Sequence, residues 1–284
     1  MLAVLNLREE LIAVKTRLDK LLVDRGLTPS RERAQALILA GKVLVNEQKI
    51  EKAGASIDSG SSLRLLGEDL RYVSRGGLKL EKALEHWQID LRGKICLDIG
   101  ASTGGFSDCM LQHGAARVIA VDTGYGQMDF GLRNDRRIRL LEKTNARYLK
   151  PGDLRPGDLR PGDLQSGDIG NNIDFIAMDV SFISATLVLP AVIRAATAGA
   201  GRTPEQSRAI VVLVKPQFEA GRELVGKGGI VRDEAAQLAA VARVKAALDE
   251  LGCARAEWIE SPILGGEGNR EFLLHAEFST PATG

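Results

Sequence analysis

The stretch Lys94-Ile95-Cys96-Leu97-Asp98-Ile99-Gly100-Ala101-Ser102-Thr103-Gly104-Gly105-Phe106 decides how this chain folds. A short apolar run stops there at an acid and three glycines. Ile95, Leu97 and Ile99 are too few for an amphipathic helix and suit a buried parallel strand, while Gly100, Gly104 and Gly105 let the backbone turn tightly and approach a ligand. A helix that follows such a turn offers its N-terminal N–H groups to that ligand. The dinucleotide fingerprint requires G-x-G-x-x-G, whereas here Ser102 stands two after Gly100 and the spacing is Gly100-x-x-x-Gly104-Gly105, which argues against a dehydrogenase. About twenty residues on, Val118-Ile119-Ala120-Val121-Asp122 reads as a second strand ending in an acid, where a doubly wound fold sets a carboxylate on a ribose diol. An adenosine cofactor without a pyrophosphate fits these features best. S-adenosylmethionine (SAM) is the expected one, held by Asp98, Gly100, Ser102, Gly104, Gly105, Phe106 and Asp122.

Outward from this centre, 284 residues allow one large domain and a small one. A hydrophobic content of 44% with 26% charged residues is that of a soluble protein, and no apolar run approaches the roughly 18 residues of a membrane span. Met1-Leu2-Ala3-Val4-Leu5-Asn6-Leu7 is apolar but lacks a basic n-region and runs into Arg8-Glu9-Glu10, so no signal peptide is expected and the expected compartment is the cytoplasm. Cys96, Cys109 and Cys253 have no metal-ligand spacing, and His86, His113 and His275 are scattered; no metal site is implied. The net charge of +1 conceals an asymmetry. Residues 15 to 94 carry sixteen Lys or Arg against eleven Asp or Glu, a surplus of +5 that suggests a polyanionic partner.

Residues 1–14 read as an N-terminal extension. Leu18, Leu21 and Leu22 repeat at helical spacing in a helix expected to run from Lys15 to Arg25-Gly26, and Ser30 is placed to cap a second helix reaching Ala40-Gly41. Lys42 to Ile50 then reads as a strand and tight turn, and Ser62 to Leu66 as another strand. Three motifs stand in order: Arg17-Leu18-Asp19-Lys20-Leu21-Leu22, Ser30-Arg31-Glu32-Arg33-Ala34 and Gly41-Lys42-Val43-Leu44-Val45-Asn46. Together they resemble the small α+β RNA-binding module of ribosomal protein S-four, over residues 15–70. Arg31, Arg33, Lys42 and Lys49 can meet phosphates from one face, giving affinity with little sequence readout. Arg17, and Arg75 beyond the module, complete the expected RNA-binding set.

Residues 71–77, polar and glycine-bearing, read as a linker, followed by a helix with Leu80, Ala83 and Leu84 on one side. From spacing alone, Lys79 at its start reads as a solvated surface lysine. Thr144-Asn145-Ala146-Arg147 is expected to end a further strand, with Asn145 on the adenine edge. Pro151-Gly152-Asp153-Leu154-Arg155 is repeated at 156–160 and nearly so at 161–165, fading by 170; four short units cannot stack a core, so 150–170 reads as a mobile loop. Asp174 to Ser184 is a buried strand delivering Asp179 at its carboxyl end, and Ala209 to Glu219 repeats the design with Lys215, a residue rarely buried unless paired. Asp179 is the expected partner. Asp233 to Leu251 reads as a helix with Leu238, Val241, Ala242 and Leu248 near one face, and Glu271 stands just before a last strand. A tail follows from 279 to 284.

The motifs S-R-G-G-x-K-L, L-D-I-G-A-S-T-G-G-F, V-D-x-G-Y-G-Q, D-V-S-F-I-S, V-K-P-Q-F-E and G-N-R-E-F, in this order, resemble the TlyA family of bacterial rRNA 2′-O-methyltransferases, long labelled hemolysins. The resemblance implies an α/β, Rossmann-like, FtsJ-like SAM-dependent methyltransferase domain over 78–278, with a doubly wound, mostly parallel sheet. It also implies a Lys-Asp-Lys-Glu tetrad at Lys79, Asp179, Lys215 and Glu271. A ribose hydroxyl is a poor acid and needs a base or a cation beside the developing alkoxide. The resemblance casts Lys215 as the base, Lys79 as lowering its proton affinity or orienting the hydroxyl, and the two carboxylates as positioning the amines. Ribosomal RNA or ribosomal subunits are the implied partner and cytidine the implied target; no membrane is expected, and a monomer is. The alternatives are a non-catalytic RNA-binding assembly factor, a pseudouridine synthase sharing the N-terminal module, and a pore-forming toxin. The first keeps the cofactor fold as a scaffold, the second needs a catalytic aspartate in another fold, and the third lacks a membrane-length run.

Overall fold

The computed structural model describes residues 15–28, 30–66, 71–154, 173–198, 208–265 and 268–278. The expected extension 1–14, the repeat beyond Leu154 and the tail 279–284 lie outside the described residues. The chain divides into two compact units, Met1–Asp69 and Leu70–Gly284.

The first unit runs β1 (Lys15–Arg17), α1 (Leu18–Asp24), α2 (Arg31–Leu39), β2 (Val43–Val45), β3 (Gln48–Lys49), β4 (Ser56–Asp58) and β5 (Leu63–Leu65). Lys15–Arg17 is strand where helical spacing pointed to helix, because it pairs antiparallel with β4, a partner some forty residues away that no local pattern announces. Ser30 caps α2 as its sequence suggests, its Oγ accepting from Arg33 N–H at 3.2 Å. Asn46 and Glu47, both at positive φ, make the two-residue hairpin between β2 and β3. Leu18, Leu22, Ala34, Leu37, Ile38, Val43 and Val45 form the core.

The second unit contains α3 (Gly76–His86), β6 (Ile95–Ile99), α4 (Gly105–Gln112), β7 (Arg117–Val121), α5 (Phe130–Arg133), β8 (Ile138–Leu141), β9 (Phe175–Met178), α6 (Ala185–Thr197), β10 (Arg208–Val214), α7 (Pro216–Glu219), α8 (Glu234–Glu250), β11 (Ala254–Glu260) and β12 (Phe272–Phe278). One seven-stranded sheet, ordered β11-β12-β10-β9-β6-β7-β8, holds the unit together. Strands β8, β7, β6, β9 and β10 are parallel, and β12 enters antiparallel to β10. Strand alternation sends Leu97, Ile99, Ile176 and Val212 to the face covered by α6 and α8, and Cys96, Phe175, Ala177 and Leu213 to the face covered by α3 and α4. This is a doubly wound, three-layer α/β fold. The chain winds outward from β6 through β8 and then restarts at β9 on the other side of β6, which makes β6/β9 the switch point where such sheets hold ligands.

Two local expectations change. The strand before Thr144-Asn145 ends at Leu141, and Asn145 instead caps a short 3-10 turn, Ala146–Tyr148. On α8 the buried residues are Ala236, Gln237, Ala240, Val241, Val244 and Leu248, while Leu238 and Ala242 face solvent. Val241 and Leu248 mark the core as expected, and Leu238 does not.

Candidate active site

Register gathers the chemistry at one rim. Ile99 pairs with Val121 and Met178, so the next rung beyond the parallel strands holds Gly100, Asp122 and Asp179. Val214 pairs with Phe272, so the next antiparallel rung brings Lys215 opposite Glu271. An acid just before β12 thus reaches the same end of the sheet as a lysine just after β10.

Two ion pairs form there. Lys79 Nζ lies 2.5 Å from Glu271 Oε2, with Lys79 8% and Glu271 3% exposed. This corrects the solvated-lysine reading of Lys79, whose counter-ion lies 192 residues away in sequence. Lys215 Nζ lies 2.6 Å from Asp179 Oδ1 without aligning a hydrogen bond on it, and donates to Ser181 Oγ at 2.8 Å. Ser181 lies within D-V-S-F-I-S, and this contact gives its hydroxyl a use that the motif alone does not announce.

Beside the pairs, Gly100 adopts φ +86°, and a Cβ there would run into the Asp179 carbonyl. Gly104, at φ +94°, is the N-cap of α4. A cleft of about 250 Å³ is bordered by Ser74, Arg75, Lys79, Gly105, Phe106 and Asp179. A second, of about 270 Å³, is bordered by Ser102, Asp122, Thr144, Asn145, Asp179 and Phe182. Both touch Gly100. Asp122 Oδ2 accepts from Ser102 N–H at 2.8 Å and Oδ1 from Gly124 N–H at 2.6 Å, which fixes the carboxylate at the mouth of the second cleft.

Asp98 does not reach either cleft. Period-2 alternation turns it to the α4 side of the sheet, where it is fully buried and Oδ2 accepts from Ser107 Oγ at 2.6 Å. Burial, with the Asp179 and Asp122 carboxylates nearby, pushes its carboxyl up to about 7 against the opposing Ser107 hydrogen bond. Its expected place on the cofactor is therefore corrected to a place beneath the turn.

Residues 71–77 are anchored rather than loose. Tyr72 is buried and donates to Glu81 at 3.0 Å, Arg71 pairs with Glu81, Val73 N–H donates to Asp108 Oδ2 at 2.8 Å, and Gly76 already begins α3. Arg75 is exposed.

In the first unit, buried Asp19 gathers Arg17, Arg31 and Gln35 on its two oxygens at 2.8 to 3.0 Å. The Arg17 guanidinium chiefly holds the Asp19 carboxyl well below the usual carboxylate range. The two arginines, half exposed, are thus fixed at their base while their outer edges face solvent. Lys42 is exposed, Lys49 pairs with Glu51 at 2.9 Å, and Arg33 is half-buried.

Residues 72–278 match the FtsJ-like methyltransferase family. The chain belongs to that family. Residues 16–62 match the S4 domain. Among relatives, the chain is 40% identical over 264 residues to the 16S/23S rRNA (cytidine-2′-O)-methyltransferase TlyA of Mycobacterium tuberculosis, covering 93% of this chain and 90% of that protein. It is 38% identical to Hemolysin A of Brachyspira hyodysenteriae, covering 91% and 98%. A Streptococcus thermophilus structure described as a candidate hemolysin superposes with a TM-score of 0.65 at 42% identity, covering 94% of this chain and 90% of that one.

For an FtsJ-like chain, the donors at the rim suit an adenosylated sulfonium amino acid. A fixed carboxylate at a strand end can accept from a diol, and a side-chain-free turn lets backbone N–H groups approach. Asn145 borders the same cleft as Asp122, with its Oδ1 occupied by Arg147 N–H at 3.0 Å and its amide nitrogen left to donate. Among the described residues of this FtsJ-like chain, no cluster of His, Cys, Asp and Glu has metal-binding geometry, and no helix is long and apolar enough to cross a membrane.

Proposed function

We propose that this protein methylates the 2′-hydroxyl of a cytidine ribose in ribosomal RNA, using S-adenosylmethionine. The observation that carries the reading is the pair of lysine–carboxylate contacts, Lys79–Glu271 and Lys215–Asp179, set beside the glycine turn at the switch point. A nucleotide-binding scaffold has no use for two largely buried ammonium groups at its rim; methylation of an alcohol does.

S-adenosylmethionine, when bound, supplies an electrophilic methyl group. Asp122 and Asn145 would hold its nucleoside, and Gly100, Ser102, Gly105 and Phe106 the remainder. Lys215, once its ammonium has given up a proton to solvent, takes the hydroxyl proton on Nζ, steered by Asp179 and by Ser181. Lys79, held by Glu271, orients the hydroxyl and places positive charge near the oxygen as it becomes an alkoxide. Holding the ribose against these groups supplies much of the rate through orientation. In the first unit, Arg17, Arg31, Arg33, Lys42 and Lys49, with Arg75 in the second, take the RNA backbone, and the reaction takes place in the cytoplasm where ribosomal RNA is found.

The test is methyl transfer from labelled cofactor to naked rRNA and to each ribosomal subunit, followed by mapping of the alkali-resistant ribose. Lys215→Ala is expected to abolish transfer while cofactor and RNA binding persist. Equal loss of binding and transfer would assign Lys215 a structural role and favour the non-catalytic RNA-binding reading.

A further inference from the structure

A third cavity, of about 390 Å³, adjoins the ion pairs and exceeds either cleft at the glycine turn. Lys215 and Glu271 border it on one side, and Phe182, Phe218, Val225 and Gln217 form much of the rest. The Phe182 and Phe218 rings stand 5.4 Å apart at a tilt of 53°. Within this largely apolar lining, Gln217 is the neutral amide. Its Oε1 is closed off from solvent and bonds nothing among the described residues.

An amide oxygen buried without a partner costs about 1–3 kcal/mol and calls for a reason in a native fold. Rotation about the terminal bond of a glutamine is soft, and no hydrogen bond holds this oxygen in place, so the amide is free to turn it toward the cavity when a donor arrives. A flat ring with a polar edge fits aromatic and aliphatic walls carrying one amide, and the lysine beside it is the group assigned to the ribose hydroxyl. A cytosine presents an exocyclic amine donor next to a ring-nitrogen acceptor, the complement of an amide's oxygen and NH₂.

We propose that this cavity receives the base of the target nucleotide and that Gln217 reads its amine-bearing edge, which determines specificity. The inference rests on the ribose-methylation reading above. It makes Gln217 a specificity residue with no part in proton transfer.

The test uses the full chain and an rRNA fragment containing the mapped cytidine, or the same fragment with that base replaced by pyrimidin-2-one, which lacks the amine. For the unaltered protein, kcat/KM is expected to fall about tenfold on loss of the amine, the size of one net hydrogen bond. Gln217→Met is expected to fall about tenfold on cytidine and then to ignore the replacement, with cofactor affinity unchanged. Equal losses on removing the amine in both proteins would overturn the assignment. Should Gln217→Met fail to bind S-adenosylmethionine, Gln217→Glu decides, because it keeps the acceptor oxygen: retained preference for the amine supports the role, and its loss overturns it. Absence of transfer to cytidine by the unaltered protein would instead sink the reaction itself, so the two failures are distinguishable.

Discussion

Asp98 looked like a ligand-binding acid because it precedes the glycine turn, yet its side chain lies under that turn against Ser107. A carboxyl raised to about 7 in the fold, and ordinary in the unfolded chain, favours folding fully below about pH 4, the unfolded value. That contribution is lost as pH rises through 7, because the buried group must then carry charge. Urea unfolding should therefore show the stability of the unaltered protein, measured against Asp98→Asn, declining between about pH 4 and 7 by at most about 1.4 kcal/mol per pH unit. A flat difference would mean that Asp98 ionises normally. The other buried pair makes a second prediction. Lys79→Ala leaves Glu271 charged and enclosed, so it should destabilise by about 3 kcal/mol, whereas Lys79→Ala with Glu271→Ala should cost less than the two single changes summed. At this scale the sequence named the right residue types but not their surroundings. Lys79 read as solvated because burial depends on Glu271, brought near only by the sheet, and Asp98 read as exposed to a ligand because a motif does not say which face of a strand its acid takes.

The elements around the turn tolerate little. Ala at position 100 would combine φ +86° with a clash on the Asp179 carbonyl, so Gly100→Ala should cost about 3 kcal/mol and abolish cofactor binding in a titration. Retained binding would show that β6 and β9 can part at the switch point. The parallel strands β6, β7, β9 and β10 were legible because apolar runs ending at a glycine turn, an acid or a lysine have few other uses. Short strands were not: three-residue β1 and β4 stabilise each other only once paired, and nothing within Lys15–Arg17 outweighs the helical spacing that follows. On α8 the expected face is half right, since Val241 and Leu248 are buried as their spacing implies, whereas small Ala236 and Ala240 take the inward positions that Leu238 and Ala242 were expected to hold.

Over the whole molecule, the positive surplus of residues 15–94 carries a prediction about salt. Lys42 is exposed, so Lys42→Ala should weaken RNA binding at all sequences alike and reduce the slope of log K against log salt by about one, without touching cofactor affinity. An unchanged slope would remove Lys42 from the RNA contact. The small N-terminal module was readable from motif order, as the S4 match over residues 16–62 bears out, whereas the fastening of Arg17 and Arg31 to Asp19 was not, because it joins side chains from separate elements. Finally, β12 has a consequence for the growing chain. It is the last of the described strands to be synthesised, and it alone among them carries Glu271 to the rim and sets it opposite Lys215. Until it slots in beside β10, a nascent chain holds Lys79 without the Glu271 carboxylate and a rim whose two lysines share one of their two ion-pair partners. The order of synthesis thus withholds the finished rim until the sheet has closed.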